Sequence, residues 1–96
     1  MLTHIVLFKL KDPADIPATA DLLRSMEGKI AELLHLEVGL DVLRSERSSD
    51  IALVTRFASL DALQSYQVHP YHAGTVVPHI KSVCSSVVAV DYQAEG

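Results

Sequence analysis

The segment Tyr66-Gln67-Val68-His69-Pro70-Tyr71-His72 gathers two imidazoles and two phenols within seven residues, while His4, His35 and His79, the rest of the five histidines, stand singly. An imidazole titrates near neutral pH and a phenol can donate a proton. Such a group set in an apolar cavity can remove a proton from a carbon next to a carbonyl and hydrogen-bond the resulting enolate. The competing reading is a helix-helix corner whose aromatic groups fill a gap, and spacing alone leaves both open.

The elements around this segment decide what it can reach. Pro70 disfavours helical angles at His69 and suits the first turn of a helix, so one helix ends near Tyr66 and another starts near His72. Residues 3–10, rich in β-branched and aromatic types, read as a strand with His4, Val6, Phe8 and Leu10 on one face and Thr3, Ile5, Leu7 and Lys9 on the other. His4 then shares a face with Val6 and Phe8, and if that face looks toward the helices it meets Tyr66 and His72 near the sheet end.

Between these pieces the pattern continues. From about residue 17 to 34, Leu23, Met26, Ile30 and Leu33 recur at helical spacing, with Gly28 marking a close approach to the sheet and His35 capping the helix end. Residues 36–43 alternate as a second strand, with Gly39 a candidate bulge. Residues 44–50 form a polar loop, and residues 51–57 a third strand. Ser59 caps a helix that runs from Leu60 to the break at His69 and Pro70. Pro78 predicts a kink or restart near Val77 in the following segment. Residues 83–92 make a fourth strand, and residues 93–96 a frayed tail.

The order strand, helix, strand, strand, helix, strand favours an α+β, ferredoxin-like βαββαβ fold: a four-stranded antiparallel sheet with its helices on one face. Both sides of the strands are apolar, so the other face needs a cover. A chain of this length buries only about 64% of its unfolded surface on folding, yet 49% of its 96 residues are apolar. A second copy is therefore expected on the open face, making a homodimer.

Composition narrows the functions. The chain forms one domain, residues 1–96. Twelve acidic against eight basic residues, with no basic run, oppose nucleic-acid binding. Cys84, the single cysteine, excludes an internal disulfide and reads as a small buried apolar residue. The sequence shows neither a signal-peptide pattern nor an apolar run of membrane-spanning length, so a cytoplasmic home and no membrane partner are expected. His69 and His72 at helical spacing would make a metal pair, but Pro70 breaks that geometry and no carboxylate lies close by in sequence, so no metal site is expected. Without a phosphate loop, a dinucleotide fingerprint or a nucleophile elbow, no cofactor is expected either. His79 reads as a packed or rim histidine, Tyr71 and Tyr92 as core or interface aromatics, and Asp91 as a strand-end residue bonded to nearby backbone.

His69-Pro70-x-His72, together with His4-Ile5-Val6-Leu7-Phe8-Lys9-Leu10-Lys11 at the start and Val90-Asp91-Tyr92 at the end, resembles the stress-responsive dimeric α/β-barrel family over nearly the whole chain. The resemblance implies ferredoxin-like subunits that dimerise through their sheets into an α/β barrel. One plant member of the family is a cofactor-free polyketide cyclase that performs an intramolecular aldol condensation. Its base is the second histidine of the motif, assisted by a tyrosine before the motif and a histidine opening the first strand. Those positions here are His72, Tyr66 and His4. Thr75, Val76 and Val77 replace an aromatic-containing stretch of that enzyme, so its substrate is not carried over.

Three readings follow. The first is a homodimeric domain binding a small apolar molecule in a cavity lined by His4, Tyr66 and His72. The second is a cofactor-independent cyclase or lyase acting on a carbonyl ligand, with His72 as general base, Tyr66 as its orienting or enolate-binding partner and His4 as an auxiliary donor. The third is a structural, oligomer-forming protein.

Overall fold

Four strands and three α-helices make up the fold in a computed structural model that describes residues 1–94. Strand β1 covers Leu2–Leu10 and is followed by a turn of 3-10 helix at Pro13–Asp15 and helix α1 at Ile16–Arg24. Strands β2, His35–Leu40, and β3, Ile51–Phe57, come next. Helix α2 at Leu60–Val68 leads through a π-helical turn at His72–Val76 into helix α3, Val77–Val83, and strand β4, Cys84–Gln93, closes the described chain. All three strand pairings are antiparallel, in the order β2-β3-β1-β4. This is the ferredoxin-like arrangement that the element order predicts.

The period of two in β1 sorts its residues as expected. Leu2, His4, Val6, Phe8 and Leu10 are buried. They lie under the helices with Ile51, Leu53, Thr55 and Phe57 of β3, and Leu23, Met26, Ile30, Leu63 and Tyr66 complete the core. The opposite face, apart from the buried Thr3 and half-buried Ile5, is uncovered. Leu7 is 39% exposed, Val88 52%, Val90 54% and Tyr92 44%, and register places Leu7 beside Val88 and Ile5 beside Val90. The accessible surface of 5764 Å² is close to the roughly 5,400 Å² of a compact monomer of this size. The chain is thus well folded on itself, and its anomaly is that so much exposed apolar surface is gathered on one side of one sheet.

Several boundaries differ from the periodicity. Helix α1 ends at Arg24, and residues 25–33 continue in tight turns that still bury Met26 and Ile30. Ser25 contributes to this ending, because its hydroxyl donates to the Leu22 carbonyl at 2.5 Å. Gly28 has φ of +81°, in the left-handed region that an α-helix cannot contain. A Cβ there would meet nothing within 4 Å, so the glycine serves the turn rather than a close approach to the sheet. His35 does not cap a helix; it opens β2 and is exposed.

Strand β2 stops at Leu40, short of the expected residue 43, because its neighbours are captured by polar groups. Asp41 accepts the Arg44 amide at 2.7 Å, and Asp50 accepts the buried Leu10 amide at 2.7 Å and the Arg44 guanidinium at 2.9 Å. Those bonds, the Leu10 amide foremost, hold the Asp50 carboxyl below the usual range. Val42 and Leu43 are left in the loop. Pairing of β2 with β3 is unbroken at Gly39, so no bulge forms there; the irregularity lies between Lys9 and Leu10 against β4. Gln93 belongs to β4, paired with Leu2, and the Ala94 amide bonds the Met1 carbonyl at 3.0 Å, so neither belongs to a frayed tail. The rest of that expected tail, residues 95–96, lies outside the described residues.

Two prolines shape the second helical region. His69 takes ψ of 135° and ends α2, its Nδ1 accepting the Tyr71 amide at 3.1 Å, and the helix resumes at Pro70. Farther on, the Pro78 ring would clash with the Gly74 carbonyl in a regular α-helix and has no amide to offer it. The chain widens there into the π-turn, where the Val77 amide reaches back to the His72 carbonyl.

Candidate functional site

His4, Tyr66 and His72 meet at one end of a cavity of about 320 Å³ between the sheet and the helices. Tyr66 is the hub. It is wholly buried, with its ring 4.4 Å from that of His72, 4.9 Å from Phe57 and 6.3 Å from His4 in an edge-on arrangement. Its hydroxyl donates to the Met26 Sδ at 3.6 Å, a weak acceptor. Burial drives the phenol pKa well above its usual value, so it stays protonated.

His72 begins the π-turn, half-buried, and its Nδ1 lies 3.1 Å from the Gln67 carbonyl. Only a protonated nitrogen can bond a carbonyl oxygen, so Nδ1 carries the hydrogen and Nε2 holds the basic lone pair. Loss of solvent lowers the His72 pKa; the Gln67 bond opposes this, and His4 and His69 add smaller repulsions in the same direction as burial. His72 is accordingly a neutral base at neutral pH.

His4 is held from two sides. Thr55 Oγ1 donates to its backbone carbonyl at 3.2 Å, and its ring Nδ1 bonds the Asp91 carboxylate across the β1–β4 ladder. A carboxylate on Nδ1 fixes the ring's orientation and leaves Nε2 as the other functional nitrogen. Asp91 is the residue that sequence reasoning missed: it bonds an imidazole, not nearby backbone. The signal was register, since His4 and Asp91 are cross-strand neighbours, and register is invisible until the strands are paired.

The remaining candidates lie elsewhere. The His79 Nε2 is 2.9 Å from the Thr19 hydroxyl, linking α1 to α3. Tyr71 bonds Ser25 at 2.5 Å, with Lys29 over its ring. Cys84 is partly buried beside the core, and burial raises its thiol pKa. Among the described residues no three His, Cys, Asp or Glu side chains are grouped to hold a metal ion, and no helix is long and apolar enough to cross a membrane. Apart from Lys81, the rest of the cavity wall is aliphatic and aromatic, with Val6, Phe8, Leu23, Val76 and Ile80 prominent and no carboxylate. Chemically, the arrangement offers one neutral base and one oriented imidazole at a water-poor space, with a phenol whose ring lines that space and whose hydroxyl is turned to Met26.

A ferredoxin-like domain with a histidine-ended apolar cavity and one bare sheet face is the class that fold and site define. The chain belongs to the stress responsive A/B barrel domain family, whose profile matches residues 2–94. Two Arabidopsis thaliana relatives are stress-response A/B barrel domain-containing proteins, one 30% identical over 98 residues and the other 33% identical over 104 residues. Each alignment covers 99% of this chain but only 37% and 48% of those proteins, so the chain spans less than half the length of either. Among solved structures, a dimeric ferredoxin-like protein of unknown function from Bacteroides fragilis is 29% identical with a TM-score of 0.84, covering 97% of this chain and 95% of that one. A hydroxynitrile lyase from Passiflora edulis shares the fold at a TM-score of 0.81 and 15% identity, over 95% and 90% of the two chains.

Proposed function

We propose that two copies of this chain pair through their bare sheet faces, and that each cavity binds a small apolar carbonyl compound from which His72 removes a proton. The observation that carries this is the state of His72: its Nδ1 is committed to the Gln67 carbonyl and its pKa is lowered by burial, so a neutral Nε2 is available on a ring lining the cavity. A general base of this kind contributes about 10²–10⁴ in rate. Tyr66 supplies the hydroxyl for the developing enolate oxygen, because a ligand oxygen competes easily with a thioether for its proton. His4, oriented by Asp91, serves as the auxiliary donor. Pairing of the sheets is supported by the Bacteroides fragilis protein, which is dimeric. The Passiflora edulis protein supports only that this fold accommodates a lyase.

The test needs no physiological substrate. A medium-chain methyl ketone is added to the protein in deuterated water, and exchange of its α-protons is followed by NMR. The wild type accelerates exchange, and His72→Ala lowers the acceleration about a hundred-fold or more while its melting temperature stays within a few degrees. Ketone bound without exchange would reduce the site to a binding cavity. No binding at all would remove both readings and leave a scaffold.

A further inference from the structure

Beyond the imidazoles and Tyr66, one further residue with a polar group borders the cavity. Lys81 lines it, although the wall is otherwise apolar and holds no carboxylate. The exposed area of the wall is almost wholly apolar, so Lys81 meets it with its aliphatic stem and, being exposed, holds its ammonium at the rim. Lys81 is exposed and takes part in none of the ion pairs among the described residues.

Its place relative to the histidines follows from the topology. Lys81 lies nine residues after His72, about 13 Å along the helical axis. On the facing strand, Val87 lies four residues from Asp91, also about 13 Å. His4 pairs with Asp91 and Phe8 with Val87, while α3 gives way to β4 at Cys84. The cavity therefore has two unlike ends: His4, Tyr66 and His72 at one, and Lys81 with Val87 at the other, where chain reversal opens the wall. Val87 is about half exposed although it faces the helix side, and Ala89 and Asp91 on the same face are exposed too, so the cavity opens along the β4 edge, within reach of Lys81.

Resting on the cavity reading above, we propose that the ligand is an amphipathic organic acid: an apolar body in the cavity, its anionic head paired with Lys81 at the mouth, and its reactive carbonyl carbon at the histidine end. A lysine in the last turn of a helix also complements the helix dipole. That role would be indifferent to ligand charge, which separates it from the one proposed.

Octanoate and octanol are the probes, with dissociation constants measured by calorimetry on the whole chain at low and high salt. The wild type binds octanoate about five-fold more tightly than octanol, as for a solvent-exposed ion pair, and the preference fades at high salt. Lys81→Met, which keeps the apolar stem, removes the preference, and Lys81→Glu reverses it. Lys29→Met, which removes a charge away from the cavity, leaves it intact. Equal binding of the two probes by the wild type, or equal loss in the Lys29 variant, would overturn the acid assignment and leave the cavity reading standing. Binding of neither probe would overturn both.

Discussion

Replacing Val90 by aspartate is expected to abolish the proposed pairing of two copies and leave the subunit folded. Leu7, Val88, Val90 and Tyr92 are each 39–54% exposed on the bare sheet face. Fully burying such a side chain is worth about 1.5–3 kcal/mol, so covering what remains contributes roughly 1 kcal/mol each, or roughly 8 kcal/mol over both copies. Ile5 and Val54 on the same face add less, being partly covered already. Against this stands an association cost on the order of 4–15 kcal/mol, so the pairing has little reserve. Val90→Asp acts twice by symmetry: it removes about 2 kcal/mol of burial and places two like charges in an apolar interface, costing at least as much again. A total of about 4 kcal/mol is roughly a thousand-fold in dissociation constant. Sedimentation velocity at micromolar concentration should show a dimeric wild type and a monomeric variant, with circular dichroism reporting an intact fold. Val42→Asp, at a loop residue that is 93% exposed, should remain dimeric. A wild type that sediments as a monomer, or a Val90 variant as massive as the wild type, would refute the reasoning.

Other consequences are more local. Asp50→Ala leaves the buried Leu10 amide unbonded and frees Arg44, so it should cost about 3 kcal/mol and lower the melting temperature by roughly 12–24 °C in a thermal melt. Gly28→Ala should cost about 1–2 kcal/mol in denaturant unfolding, purely from the left-handed backbone since nothing crowds the new Cβ; Gly39→Ala, which also meets open space, should cost less. Because the His72 pKa is lower folded than unfolded, the unfolded chain takes up the proton first as pH falls. Stability present above about pH 6.5, the ordinary histidine value, is therefore lost below it, and His72→Gln should flatten that part of a melting-temperature profile. Asp91→Asn should leave ketone binding intact yet slow proton exchange, because an uncharged amide holds the His4 ring less firmly than the carboxylate does.

Legibility followed the range of the forces involved. The faces of β1 and the convergence of His4, Tyr66 and His72 were readable because period two and the break at Pro70 are local properties. Met26 and Ile30 belong to the core as their spacing predicts although the helix ends before them, since burial of a stripe does not require one continuous helix. The end of α1 turned on a positive φ at Gly28, which sequence registers only as a glycine. Strand β2 lost Val42 and Leu43 because Asp41, Arg44 and Asp50 form a knot with Leu10, forty residues from Asp50. The partner of Asp91 and the place of Lys81 are hidden in the sequence for the same reason: their neighbours are set by strand register and by the direction in which α3 returns to the sheet.

The widened turn ahead of Pro78 bears on how the family can vary. Between Pro70 and Pro78 lie seven residues, a spacer bounded by two stops that cannot slide, with the His72 ring near its start and the wall residue Val76 near its end. Any residue gained or lost in that spacer swings one end about 100° around the axis relative to the other. Relatives that keep both prolines should therefore tolerate exchange of side chains in this segment but not change of its length, and diversification of the ligand would proceed by repainting the wall rather than moving it.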